Sequence, residues 1–244
     1  MDIQDVTFDE ATETYQRARL DAIRAWGAER QLPGPVQIEI GSNQGRFLKG
    51  LARLYTDRSV LGIEIRRRFV EVLSEELTDE GLTNAQALAA DANLALPLLF
   101  ADNTVERIYI LFPDPWWKKR HAKRRLFTPE FLGLLANKLR PDGLLVIKTD
   151  VEPYAEIVSE LIDQSQRWRR VMPDDPAWPE DEDQWPKTTR EGKILRKGLP
   201  VWKIYAEPTG ELQEVDGLEV PMERFAKPEV TIDRSRGRRP RLRK

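Results

Sequence analysis

Asp114 stands between Pro113 and Pro115, directly after the apolar run Arg107-Ile108-Tyr109-Ile110-Leu111 and just before Trp116 and Trp117. Two prolines so close together stop either a helix or a central strand. The carboxylate is therefore expected to be held at the mouth of a buried strand. Of the next eight residues, Lys118 to Arg125, all but Ala122 are basic or histidine. A fixed carboxylate beside so dense a cationic run fits a reactive site next to a polyanion. The plain alternatives are a turn aspartate between prolines, indoles packed under a loop, and a solvated charged segment.

Three more acids occupy comparable places. Glu39 lies within the expected strand Val36–Ile40, Glu64 within Val60–Ile65, and Asp91 follows Gln86–Ala90. In a doubly wound sheet, ligands bind beyond the carboxyl ends of the strands. An acceptor-only side chain such as Glu64 suits a ribose diol, Asp91 suits the amino group of adenine, and Glu39 and Asp114 welcome positive charge. The set fits S-adenosylmethionine, whose sulfonium and ammonium are cationic, and fits a pyrophosphate poorly. The turn Gly41-x-x-x-Gly45 also lacks the G-x-G-x-x-G spacing that holds a dinucleotide pyrophosphate at a helix start. A nicotinamide oxidoreductase is disfavoured on that ground. Glu64 and Asp91 as solvated helix caps remain the structural alternative.

Positioning these residues requires strands alternating with helices. The pattern predicts a helix over Ala11–Gln31, then strand Val36–Ile40, helix Arg46–Tyr55, strand Val60–Ile65 and helix Arg67–Leu77. It continues with strands Gln86–Ala90 and Arg107–Leu111, a helix capped by Thr128 and running through Leu139, and strand Leu144–Ile147. Helix Val151–Gln166 and a late strand Val201–Tyr205 complete it. This alternation predicts an α/β, Rossmann-like doubly wound, mostly parallel sheet, with the late strand antiparallel near the C-terminal edge. Residues 1–35 read as an N-terminal extension with a helix and 36–206 as the catalytic domain. Residues 207–244 read as an extension ending in the basic tail Arg234 to Lys244, expected to be disordered when free. Pro173 to Pro186, rich in proline and acid, is expected to be a surface loop or an insertion.

Bulk properties narrow the class. The 244 residues suit one main domain with decorations. No apolar run is long enough to span a membrane, and the acidic start Met1 to Asp5 does not resemble a secretory signal. Cysteine is absent and His121 is the only histidine, which excludes disulfides, thiolate zinc sites and a multi-histidine centre within one chain. No metal is expected, and a cytoplasmic location fits. The net charge of -2 hides a strong local polarity, with bases at Lys118 to Arg125 and in the tail, and acids at Asp174 to Asp183.

On these residues the chain resembles the tRNA (guanine-N7)-methyltransferases, a family of class I S-adenosylmethionine-dependent methyltransferases. The resemblance rests on E-I-G-x-x-x-G at Glu39 to Gly45, G-I-E-I at Gly62 to Ile65, and Asp91-Ala92. It rests above all on F-P-D-P-W-x-K-x-R-H-x-K-R-R at Phe112 to Arg125, and is completed by K-T-D-x-x-P-Y at Lys148 to Tyr154 and T-x-x-E at Thr188 to Glu191. It implies methyl transfer to N7 of a variable-loop guanosine, guanine(46), in tRNA. It also implies that Glu39, Gly41, Gly45, Glu64, Asp91 and Asp114 form the cofactor site, with Asp114 the catalytic carboxylate. Lys118, Asp150, Thr188 and Glu191 would contact the guanosine, and Arg120, His121, Lys123, Arg124 and Arg125 the RNA. The partners implied are tRNA and no membrane, with the chain a monomer or homodimer. The family's Gly-x-Gly-x-Gly turn carries Asn43 in the middle here; asparagine tolerates positive φ, so the turn is expected to survive. The basic tail has no counterpart in the resemblance. Guanine N7 has a lone pair and no proton, so Asp114 is expected to stabilise developing positive charge rather than to act as a base. A non-catalytic RNA-binding protein of the same fold, or a methyltransferase for another substrate, are the competing readings.

Overall fold

All five residues of the first strand, β1 (Val36–Ile40), are buried, although its pattern alternates apolar and polar side chains. Ile38 and Ile40 face one core, while Gln37 and Glu39 face the other side of the sheet. Gln37 satisfies its amide there by donating to Glu106 (2.9 Å) and accepting from the Tyr109 hydroxyl (3.0 Å). A strand covered on both faces is the mark of a parallel sheet wound on both sides.

The structure, a computed structural model, describes residues 8–117 and 125–210. After helix α1 (Phe8–Ala28) and β1 come α2 (Arg46–Leu54), β2 (Ser59–Glu64), α3 (Arg67–Asp79), β3 (Ala85–Ala89), α4 (Ala92–Leu99) and β4 (Val105–Leu111). Then follow α5 (Pro129–Lys138), β5 (Leu139–Thr149), α6 (Glu152–Gln164), β6 (Trp168–Val171), α7 (Thr189–Arg196) and β7 (Trp202–Pro208). The strand order is β3-β2-β1-β4-β5-β7-β6. The first five are mutually parallel; β7 lies antiparallel between β5 and β6. This is the class I methyltransferase arrangement of a Rossmann-like sheet. The order reverses between β1 and β4, which puts the switch point where Gly41 and Phe112 leave the sheet.

Helices α1, α4, α5 and α6 cover one face through Ile23, Leu96, Phe131, Leu135 and Leu161. Helices α2 and α3 cover the other through Phe47, Leu48, Leu51 and Leu73. Each of these buried side chains contributes about 1.5–3 kcal/mol through removal from water. As expected, Thr128 caps α5 by accepting from the Phe131 amide (3.2 Å), with Pro129 at the first position.

Several elements depart from the sequence reading. Helix α4 was not anticipated, because Pro97 interrupts its pattern; packing of Ala95 and Leu96 into the core outweighs that local cost. Strand β6 and helix α7 were also missed, both being too short to show a period. Strand β5 starts at Leu139, five residues before the expected Leu144, and passes Gly143 through a register shift against β4.

Pro173 to Pro186 is a largely irregular segment at the surface, as expected, but it is anchored at several points. Trp185 is 3% exposed, donates through Nε1 to the Tyr55 hydroxyl (2.9 Å), and packs edge-on against Tyr109. Pro186 lies where any Cβ on Gly50 of α2 would come within 2.3 Å. Asp181 accepts from Tyr55 and pairs with Arg107, and Glu182 pairs with Lys203 (2.6 Å). Asp181 and Glu182 thus help to strap the segment across the sheet. That strap delivers Thr188 to the end of β5.

Candidate functional site

A cleft of about 1290 Å³ opens beyond the carboxyl ends of β1, β2 and β4. It is lined by Glu39, Gly41, Asn43, Glu64, Asp91 and Asp114, so the four acids read from the sequence meet in one place.

The turn after β1 shapes its floor. Gly41, Asn43 and Gly45 take φ of 82°, 51° and 66°, so asparagine does occupy the left-handed middle position. Gly45 also has no room for a side chain, since a Cβ would meet Leu73 at 2.2 Å. The turn is pinned to β2 by the Gly41 amide, which donates to the Ile63 carbonyl (2.7 Å), and by the Asn43 amide, which donates to Glu64 Oε2 (3.0 Å).

The acids have different environments. Burial, reinforced by the Glu64 charge, pushes the Glu39 carboxyl well above the ordinary range despite an amide contact from Leu48. Glu39 Oε2 and Ser42 Oγ are buried polar atoms with no hydrogen-bond partner among the described residues. Burial alone would raise Glu64 too, but the hydrogen bonds from Arg66 and Asn43 outweigh it and hold that carboxyl below its ordinary value. Arg66 donates its backbone amide and Nε to Glu64 Oε1, both at 3.0 Å, and Nη2 to Oε2 at 3.3 Å. Asp91 caps α4 through Oδ1, which accepts from the Asn93 amide (3.0 Å), and Oδ2 stands 3.9 Å from Arg19 of α1. Beside these acids Ile65, 68% exposed, offers an apolar surface within the cleft.

Asp114 is exposed on the cleft between two strained residues. Phe112 and Trp116 have φ of 55° and 38°, a region costly for bulky side chains. Phe112 is anchored by its amide, which donates to the Lys148 carbonyl (2.7 Å). Trp117 packs edge-on against Tyr154, and Trp116 lines the cleft. Arg125, expected to contact RNA, is instead buried, its Nε donating to the Trp116 carbonyl (3.3 Å). Lys118, Arg120, His121, Lys123 and Arg124, like the tail, lie outside the described residues.

Of the other site residues, Thr188 lines the cleft, and Asp150, just past β5, pairs at 2.8 Å with Arg190, which also lines it. Thr188 and Glu191 form a reciprocal cap at the start of α7: Thr188 Oγ1 accepts from the Glu191 amide (3.0 Å), and Glu191 Oε2 from the Thr188 amide (3.4 Å). Glu191 is 4% exposed and its other oxygen accepts from Lys148 Nζ (3.2 Å), so it holds α7 rather than presenting charge to the cleft. Sequence reasoning gave no role to Lys148, Arg66 or Ile65. A lysine at the end of the apolar run Leu144 to Ile147 was the available signal for the first; nothing marked the other two.

The residues present fit S-adenosylmethionine. The cleft has the volume for a nucleoside, an unpartnered buried carboxylate oxygen faces it, and its acids suit a cation. A family model described as "Putative methyltransferase" matches residues 33–204. A tRNA (guanine-N(7)-)-methyltransferase of Anaeromyxobacter dehalogenans is 38% identical over 193 residues, covering 75% of this chain and 91% of the relative. Relatives of the same name from Synechococcus sp. (strain JA-3-3Ab) and Pseudomonas putida are 36% and 35% identical, covering 73% and 72% of this chain and 74% and 73% of theirs.

Proposed function

The chain belongs to the tRNA (guanine-N7)-methyltransferase family, and from that premise we propose that it methylates N7 of a variable-loop guanosine in tRNA, guanine(46). The observation that carries the reading is the meeting of Glu39, Glu64, Asp91 and Asp114 in one cleft at the switch point. S-Adenosylmethionine, held there by Glu39, Glu64 and Asp91, would supply an electrophilic methyl group with a neutral thioether as the leaving group, so that the positive charge would pass from sulfur to guanine.

The protein's part is positioning and electrostatics. Glu39 receives the cationic amino-acid end, whose charge favours the ionised carboxylate. Glu64 takes the ribose diol and Asp91 the adenine amino group, next to the apolar face of Ile65. Asp114, fixed by the strained turn, faces the guanine ring as its charge develops. Asp150 accepts from guanine N1–H and N2–H, releasing Arg190, and Thr188 borders that edge. Glu191 and Lys148 act from behind, as positioning residues for α7. Lys118 and the basic residues Arg120 to Arg124 supply the remaining guanosine and phosphate contacts.

Labelled S-adenosylmethionine and bulk tRNA, followed by nucleoside analysis, test this directly. Label in 7-methylguanosine is expected; label in any other nucleoside, or none, contradicts it. Calorimetry separates the non-catalytic RNA-binding alternative, which predicts no cofactor binding.

A further inference from the structure

Helix α7 contains one acid, Glu191, and that acid is turned inward onto Lys148. Its outward side chains are therefore of one sign. Arg190, Lys193 and Arg196 recur at three-residue spacing, Lys197 caps the helix, and all four are exposed. Residues three and four apart share a helix face, so the cations form a stripe.

Cations elsewhere on the surface are mostly neutralised. Arg169 pairs with Asp175 and Glu207, Lys49 with Glu76, and Lys203 with Glu182. On α7 only Arg190 has such a partner, Asp150; no carboxylate of the described residues lies within 4.0 Å of Lys193, Arg196 or Lys197. Placing like charges together without counter-ions is unfavourable for the free protein. It becomes favourable when a polyanion is the neighbour.

The stripe is also rigidly mounted and well placed. The reciprocal cap and the Lys148–Glu191 pair fix α7 to the end of β5, and Gly198 (φ 65°) ends the helix with the Leu199 amide bonded to the Ile194 carbonyl (3.2 Å). Arg190 and Lys193 line the same cleft as Asp114 and Trp116, so the stripe runs outward from its mouth.

We propose that the outward face of α7, carried by Lys193, Arg196 and Lys197, is a contact for the tRNA phosphate backbone, separate in sequence from the basic run at residues 118–125. This rests on the tRNA reading above and assigns it a second grip, one that holds the strand next to the target nucleotide.

The test compares wild type with the triple variant Lys193→Ala/Arg196→Ala/Lys197→Ala. A control of equal charge loss is Arg17→Ala/Arg24→Ala on α1 together with Arg30→Ala just past its end. Binding of purified tRNA is measured by anisotropy across a salt series. The α7 variant is expected to bind roughly 10- to 100-fold more weakly near physiological salt, with a salt slope lower by about 2–3. Its melting temperature should match wild type, since alanine favours the helix. An α7 variant with wild-type affinity and slope overturns the inference. So does a control that loses as much, because net charge alone would then explain the effect. If wild type forms 7-methylguanosine while the α7 variant is indistinguishable from it, only this inference falls; if wild type neither binds tRNA nor methylates it, the functional reading falls with it.

Discussion

Replacing Lys148 with methionine tests how α7 is held. The Lys148 ammonium lies 3.2 Å from Glu191 and 3.4 Å from Glu182, and its side chain and that of Glu191 are 4% and 5% exposed. Methionine keeps most of the length and removes the charge, leaving Glu191 buried without its cation. Removing one partner of a buried pair costs about 3–5 kcal/mol, because desolvation of the survivor is no longer offset. For a chain of this size each kcal/mol moves the melting temperature by about 2–4 °C, so the midpoint should fall by roughly 6–20 °C. The double variant Lys148→Met/Glu191→Gln should recover a large part of that loss, since no stranded charge remains. The assays are thermal and urea denaturation, with amide exchange followed across 188–196, where protection should drop first. A loss below about 1 kcal/mol in the single variant, or a double variant at the sum of the two singles, would refute the claim that this pair fixes α7.

Other outcomes follow from the cleft. Asn43→Gly should leave the melting temperature unchanged or raised, whereas Asn43→Val should cost about 1–2 kcal/mol, because β-branching penalises the left-handed backbone; equal effects would contradict this. The Glu39 carboxyl is raised in the fold, so its protonation favours the folded state. That contribution is complete below its ordinary value of 4.5 and is lost as pH rises through the raised folded value. Glu39→Gln should therefore become more stable relative to wild type as pH increases across that window, measured by denaturation. Cofactor affinity of wild type, measured by calorimetry, should gain on that of Glu39→Gln as pH rises through the raised folded value, because the cation needs the ionised carboxylate; the same pH dependence in both would contradict the assignment of Glu39 to the cationic end. Arg66→Ala should free Glu64 for the ribose diol and tighten S-adenosylmethionine binding several-fold, on the order of 1 kcal/mol for one charge-assisted bond no longer displaced. Weaker calorimetric binding would show that Arg66 instead supports the site.

The strand-end chemistry was legible because parallel strands put their functional residues at one edge, so acids at Glu39, Glu64, Asp91 and Asp114 could be placed from strand order alone. Asn43 was legible for a similar reason, since few residue types tolerate the conformation its position demands. What was hidden depended on distant partners. Trp185 and Pro186 sit on the sheet because Tyr55, Tyr109 and Gly50 receive them, which no local pattern records. Glu191 was read as a substrate contact from its motif, yet its cap to Thr188 and its pair with Lys148 place it behind the cleft. Arg66 occupies Glu64 through a geometry that composition cannot show.

The central claim is that Asp114 stabilises charge on guanine during methyl transfer, within a cleft built for a cationic cofactor. The most direct measurement is single-turnover formation of 7-methylguanosine in tRNA by wild type and by Asp114→Asn, with tRNA affinity measured alongside. The account predicts a transfer rate lower by roughly 10²- to 10³-fold, as for loss of one electrostatic stabiliser, with tRNA binding near wild type. An unchanged transfer rate in Asp114→Asn would contradict it.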